Sequence, residues 1–289
     1  WPNYLLLALT VIVFLSMIYG IIWGKYKYTV SKIKLKIKDL PDAFIGFTIA
    51  QISDIHSGTF DSVKQVEKGV NLINAQEPDL FLFTGDLVNF NINEIDPFIA
   101  TFAKINAPYG KYSVLGNHDY YGISSFPEAE KGNYWSTFAR KHEEIGFELL
   151  RNTNVKIEKN GEHLNLLGVE NWGIGGFPKT GDLNQALRGI DPDSPSILMS
   201  HDPSHWDEVV LKSKHLIDLT LSGHTHGMQF GINTKWFKWS PVKYRYKRWM
   251  GLYQKDNRQL YVNRGFGFLG WPGRIFMWPE ITIFELERL

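Results

Sequence analysis

Three short apolar runs, each closed by a polar cluster, constrain this chain more than anything else in it. Residues 44–52 run into Ser53-Asp54-Ile55-His56, residues 79–84 into Gly85-Asp86, and residues 111–115 into Gly116-Asn117-His118-Asp119. Between them, apolar residues fall at helical spacing. Val63, Val66, Val70 and Ile73 mark a helix over 61–75 with Asp61 or Ser62 as its cap, and Ile95, Phe98, Ile99, Phe102 and Ile105 mark the next. The clusters recur at roughly 30 residues, about the length of one strand–helix–strand unit. In sheets built this way, ligands gather beyond the carboxyl ends of the strands. Strand ends alone therefore predict Asp54, His56, Asp86 and Asn117 on one rim.

The second half continues the pattern. An apolar stretch at 164–169 is followed by Ile197-Leu198-Met199-Ser200 running into His201-Asp202-Pro203, and by residues 216–221 running into Gly223-His224-Thr225-His226-Gly227. Two histidines one residue apart on an extended segment place both imidazoles on the same side. The flanking glycines let the backbone approach whatever the rings hold. Residues 261–263 and 281–286 read as closing strands. Residues 31–40 alternate Lys32, Lys34, Lys36 and Lys38 with Ile33, Leu35 and Ile37, the period of a strand with one solvated face. Those lysines suit a charged sheet edge, or contact with anionic lipid. With no internal repeat and no low-complexity linker, residues 25–289 read as one domain of two sheets between helices.

Residues 4–23 carry no charge and are dominated by Leu, Ile, Val and Phe, a length that matches a bilayer-spanning helix of roughly 20 residues. Trp1, Tyr4, Tyr19 and Trp23 lie near its ends, where amphipathic rings prefer the interface. A cleaved signal peptide fits less well, since no basic region precedes the run and no small-residue cleavage site follows it. Residues 1–24 are thus expected to be a transmembrane segment, alone or as the last of several. Lys25 and Lys27 follow at once, so the charge bias points to a cell-membrane protein with a cytoplasmic domain.

The chain has no cysteine, so any metal must sit on nitrogen and oxygen ligands. Its net charge of +1 offers no broad basic field of the kind nucleic-acid binders carry.

Taken together, Asp54-x-His56, Gly85-Asp86, Gly116-Asn117-His118-Asp119, His201 and Gly223-His224-x-His226 closely resemble the motifs of the calcineurin-like metallophosphoesterases, in the same order. Asn263-Arg264-Gly265-Phe266-Gly267, Pro272-x-Arg274 and Pro279-Glu280-Ile281 also resemble the C-terminal end of that family's small membrane-associated bacterial branch. The resemblance implies a four-layer α/β/β/α sandwich of two mixed sheets, here preceded by the transmembrane helix. It implies two divalent cations, Mn, Fe or Zn with Mn favoured, roughly 3.5–4 Å apart and sharing one carboxylate and one hydroxide that attacks phosphorus. One cation would take Asp54, His56, Asp86 and His226. The other would take Asp86, Asn117, His201 and His224, with Asp86 as the bridge. His118 would donate a proton to the leaving oxygen and Asp119 would hold its ring. Asp202 would orient His201 or cap the turn before Pro203. His142, His163, His205 and His215 fall outside the motifs and read as surface or core residues.

The implied function is a membrane-anchored phosphohydrolase acting on a phosphoester or pyrophosphate of a small or lipid-linked molecule. A narrower alternative resembles the UDP-2,3-diacylglucosamine hydrolases, one branch of which carries Arg where this chain has His118. A metal-bound scaffold without turnover is the remaining reading, and such scaffolds have usually lost ligands that this chain retains. Residues 236–249 interleave Trp236, Phe237, Trp239, Tyr244, Tyr246 and Trp249 with Lys238, Lys243, Arg245, Lys247 and Arg248. They suit a lid hairpin packed on the core or a contact with the membrane surface.

Overall fold

An apolar strand points its side chains alternately to two faces, and when both are apolar both must be covered. That requirement sets the layers in the computed structural model of the chain, which describes residues 2–125 and 132–289. Helix α1 (Pro2–Ile22) comes first. Strands β1 (Thr29–Ile37), β2 (Thr48–Ile52), β3 (Leu80–Phe83), β4 (Lys111–Ser113) and β5 (Glu148–Leu149) belong to one sheet. Strands β6 (Thr153–Lys159), β7 (Glu162–Gly168), β8 (Ser196–Met199) and β9 (Leu219–Ser222) belong to a second. A small hairpin, β10 (Ile232–Asn233) and β11 (Lys238–Trp239), precedes β12 (Gly251–Lys255) and β13 (Arg258–Val262), which complete the second sheet. The last strand, β14 (Glu280–Arg288), returns to the first. The orders are β1-β14-β2-β3-β4-β5 and β12-β13-β9-β8-β7-β6.

Leu80 and Leu82 of β3 face Ile197 and Met199 of β8 and Leu219 and Leu221 of β9 in a core between the sheets. Their neighbours Phe81 and Phe83 point the other way, into a core shared with helices α2 (Val63–Asn74), α3 (Ile99–Phe102) and α4 (Tyr134–Ile145). On the far side, Leu198, Leu260 and Val262 pack with Leu183 and Ala186 of α5 (Leu183–Ala186) and Trp206 of α6 (Ser204–Glu208). These are the four layers that the motif resemblance implies. Helix α2 has the expected apolar stripe, and the Ser62 side chain accepts from the Gln65 amide as its cap.

Two expectations need correction. The strand expected over 44–52 begins at Thr48, because Phe44 lies in a 3₁₀ turn, Asp42–Phe44. The helix expected around Ile95–Ile105 is a seven-residue 3₁₀ segment, Ile92–Phe98, followed by the single turn of α3. Pro97 lies inside the segment and lacks the amide that a continuous α-helix would use.

Strand β1 is an edge, and its Lys34 ammonium pairs with Glu287 on β14, the reading of a charged edge. Its register also locates α1. Thr29 lies opposite Glu280 in the parallel β1–β14 pair, and Thr282 lies opposite Gln51 in the antiparallel β14–β2 pair. The chain therefore leaves α1 at the end of the sheet where β2 delivers Asp54. Within α1, Asn3–Ile22 are long and apolar enough to cross a membrane, and only 6% of the helix's most apolar 18-residue stretch is buried.

Candidate metal centre

Strands β2, β3 and β4 run parallel, as do β7, β8 and β9, so the polar clusters that follow their carboxyl ends meet on one rim. The turns there are tight. Asp54, His56, Asp86, His224 and His226 all adopt positive φ, between 47° and 70°. Residues other than glycine rarely hold that conformation, at a cost of about 1–3 kcal/mol each, and such strain gathers at functional sites. Two glycines are dictated by close approach. A Cβ on Gly223 would lie 1.9 Å from Ser53 Oγ, and one on Gly116 would lie 2.2 Å from Asp86 Oδ1.

The donor atoms form two groups. In one, His226 Nε2 lies 3.1 Å from Asp54 Oδ1 and 3.0 Å from His56 Nε2. In the other, Asp86, His201 and His224 each offer an atom within 4.8 Å of the others. Asp86 Oδ2 stands between the groups, 3.5 Å from His56 Nε2 and 3.2 Å from His201 Nε2. Its Oδ1 accepts from the His118 amide at 2.8 Å.

This donor set fits divalent cations. The donor-bearing residues are buried, His224 with 7% of its side chain exposed, and two of the donor atoms, Asn117 Oδ1 and His201 Nε2, have no hydrogen-bond partner. Buried polar atoms are normally satisfied, so a cluster of converging lone pairs calls for a positive centre. His201 Nδ1 is engaged by the Thr84 carbonyl at 2.7 Å, leaving Nε2 as its inward nitrogen. His224 is held the opposite way round. Its Nε2 lies 2.6 Å from the Tyr246 hydroxyl and 3.5 Å from Asp202 Oδ2, so Nδ1 is the nitrogen left for a cation. Asp86 and His201 shift together: burial lowers His201, but the Asp86 carboxylate outweighs it and raises the ring to about 10, a proton that a cation would have to displace. Burial disfavours the charge on Asp86, yet His201 beside it outweighs that and holds the carboxyl well below its usual range. Burial pushes His56 down to about 3, which keeps its ring neutral and able to ligate.

His118 is half-exposed, with its ring edge-on to His56 and Tyr121. Its Nδ1 lies 2.9 Å from the Asn89 carbonyl, which makes Nδ1 the protonated donor there and leaves Nε2 facing away from that bond. The expectation that Asp119 orients this ring is corrected by the geometry. Asp119 is fully buried, and its carboxylate accepts from four backbone amides: Asp86 at 3.0 Å, Leu87 at 2.9 Å, Val88 at 3.3 Å and Gly116 at 2.8 Å. It clamps the turn after β3 to the turn after β4. Asp202 faces His224 rather than His201, and its Oδ1 accepts from the Ser204 amide and hydroxyl across Pro203, the turn-capping alternative.

The sequence reading attached no role to Asn89, Tyr246 or Arg274. Asn89 acts through its backbone, which leaves no sequence signal. Tyr246 lies in the aromatic–basic stretch and is buried, unlike the exposed Trp236 and Phe237 at the tip. Arg274 belongs to the Pro272-x-Arg274 motif. Its fully buried guanidinium donates to the carbonyls of Gly267, Met277 and Arg264 and lies 3.2 Å from His226 Nδ1. It thereby ties the loop between β13 and β14 to the His-x-His turn. His142, His163, His205 and His215 bond elsewhere, to Phe138, Asp191, Ser200 and Ser196.

Residues 47–228, more than half of the chain, match the family model for the calcineurin-like phosphoesterases. The chain is 29% identical over 292 residues to a transmembrane protein with metallophosphoesterase domain of Bos taurus, covering 97% of this chain and 62% of that protein. It is 28% identical over 260 residues to an uncharacterised metallophosphoesterase, YkuE, of Bacillus subtilis, covering 88% and 83%. It is also 28% identical over 284 residues to the UDP-2,3-diacylglucosamine pyrophosphatase LpxG of Chlamydia muridarum, covering 82% and 83%. The chain thus spans 62% and 60% of the length of the two vertebrate transmembrane relatives.

Proposed function

We propose that this chain, which belongs to the calcineurin-like phosphoesterase family, is a membrane-anchored phosphohydrolase that holds two divalent cations and cleaves a phosphoester or pyrophosphate by direct attack of hydroxide. The observation that carries the reading is the position of Asp86, whose Oδ2 faces a histidine of each donor group. One cation falls to Asp54, His56, Asp86 and His226, and the other to Asp86, Asn117, His201 and His224. Mn is favoured over Fe or Zn, all three being suited to mixed nitrogen and oxygen ligands. Such cations supply charge neutralisation of the phosphate and acidification of water.

The chain's own residues account for the rest. Asp54 also accepts from the His224 amide at 3.0 Å, so the first donor group and the His-x-His turn are set by one carboxylate. Asn117 contributes a neutral oxygen, which limits negative charge where the phosphate must enter. His118, in its doubly protonated form with Nδ1–H tied to Asn89, passes the Nε2 proton to the leaving oxygen as the bond to phosphorus breaks and is left neutral. Asp119 keeps Asp86 and Asn117 in register through the amides it binds.

Residues 1–24 are read as the membrane anchor and residues 25–289 as the catalytic domain. The reading of this domain as cytoplasmic rests on the basic bias of Lys25 and Lys27 just after the span. The likeness to LpxG supports a narrower reading, a lipid-linked pyrophosphate as substrate. A screen of metal-reconstituted chain against monoesters, diesters and lipid-linked pyrophosphates separates these classes.

The central test is elemental analysis of the folded full chain beside Asp86→Asn. The expected result is two equivalents in the parent. The variant should lose turnover and weaken both cations by more than the roughly 10–100-fold that loss of an outer hydrogen-bond partner costs. A folded parent with one cation or none, or an active variant, refutes the two-metal assignment.

A further inference from the structure

The domain joins α1 at the end of the sheets that carries the donor residues, because Thr29, Glu280 and the carboxyl end of β2 lie together. The surface around that junction carries several exposed apolar side chains. The Tyr19 ring of α1 contacts Trp23 and Trp278, and Trp278 contacts Phe276, which is 55% exposed. Ile275 next to it bridges to Phe230, whose ring contacts Trp239 of β11. Beyond, the β10–β11 hairpin ends on Trp236, 87% exposed, and Phe237, 54% exposed. The strip starts at a helix able to cross a membrane and passes Met228, two residues beyond His226.

Two features separate this strip from ordinary exposed side chains. First, Met228, Gln229 and Phe276 adopt positive φ of 53°, 57° and 57°, so strained backbone carries two of its outward apolar groups. In water that is unfavourable twice over, and contact with lipid removes the exposure. Second, Lys235, Lys238 and Lys243 flank the rings and are exposed, and no ion pair among the described residues involves them. Aromatic and basic groups side by side suit an interface with anionic headgroups.

We infer that this rim seats the catalytic end of the domain on the leaflet from which α1 emerges, so that a phosphate borne in the headgroup layer of that leaflet reaches the donor residues without leaving the membrane. The substrate consequence rests on the proposed function; the seating does not. Ser240 Oγ donates to the Gly227 carbonyl at 2.8 Å and Thr225 Oγ1 to the Trp249 carbonyl at 2.7 Å, so both ends of the stretch 240–249 that follows the hairpin are joined to the His-x-His turn.

The chain has no cysteine, so a single introduced thiol reports one position. Trp236→Cys, Phe237→Cys and Phe276→Cys are made in the full chain, with Asn160→Cys as control at the β6–β7 turn, the opposite end of the second sheet from His224. Each is labelled with an environment-sensitive fluorophore and reconstituted in nanodiscs containing phosphatidylglycerol and nitroxide-labelled lipid. An apolar surface lying roughly 5–10 Å into the headgroup boundary should be quenched at least about twofold more at 236, 237 and 276 than at 160. Equal quenching at all four positions overturns the seating. So does quenching confined to 276, which would mean that only the neighbourhood of α1 touches lipid. Cation content measured on the same samples reports separately on the metal centre, so either idea can fail alone.

Discussion

Replacing Asp119 with Asn distinguishes a backbone clamp from an orienter of His118. The carboxylate offers two oxygens to four buried amides, Oδ2 to Asp86 and Gly116 and Oδ1 to Leu87 and Val88. An asparagine supplies one oxygen and one NH₂ in nearly the same shape. Whichever way it turns, two buried amides lose their acceptor and meet a donor instead. An unsatisfied buried donor costs about 1–3 kcal/mol, so the substitution should destabilise the fold by roughly 2–6 kcal/mol. For a domain of this size each kcal/mol moves Tm by about 2–4 °C, a drop readily seen by thermal unfolding in detergent. In either orientation a freed amide belongs to Asp86 or to Leu87 beside it, so cation affinity should fall with stability. The outcome that refutes this reasoning is a variant within about 1 kcal/mol of the parent, with cations retained and only the acid side of its pH–rate profile moved. That pattern belongs to a carboxylate acting on the His118 ring.

His118→Asn should retain cations but slow alkyl phosphates by about 10²–10⁴-fold, while p-nitrophenyl phosphate, which needs little protonation of its leaving group, loses far less. Equal losses on both would remove His118 as the acid. Tyr246→Phe deletes the hydroxyl 2.6 Å from His224 Nε2, and should weaken one cation by roughly 10–100-fold and leave the other nearly unchanged in a competition titration. Loss of neither, or of both equally, would deny Tyr246 that role. Burial pushes His142 down to about 4, with its Nδ1 donating to the Phe138 carbonyl one turn earlier in α4. The unfolded chain therefore takes up this proton first, and stability is fully present above pH 6.5 and lost as pH falls towards 4, by about 3 kcal/mol. Acid unfolding of His142→Leu should lack that component; an unchanged slope between those pH values would show that the ring is not buried neutral.

Much of the layout is legible in the sequence because it is encoded locally. The short apolar runs, such as residues 79–84, and the turn clusters after each strand need only neighbouring residues to be read, and they place Asp54, His56, Asp86 and Asn117 on one rim. The apolar spacing around Pro97 instead predicts one continuous helix, which the ring interrupts. What the linear pattern does not hold is the set of partners brought together by folding. Asn89 meets His118 through a carbonyl, which every residue has. Asp119 meets backbone amides rather than the ring beside it, because the turns after β3 and β4 lie back to back. Tyr246 finds His224, and Arg274 finds His226, only after the hairpin and the final loop close over the second sheet. Even the placement of α1 beside the donor residues depends on β14 inserting between β1 and β2, a pairing across some 250 residues that no local periodicity specifies.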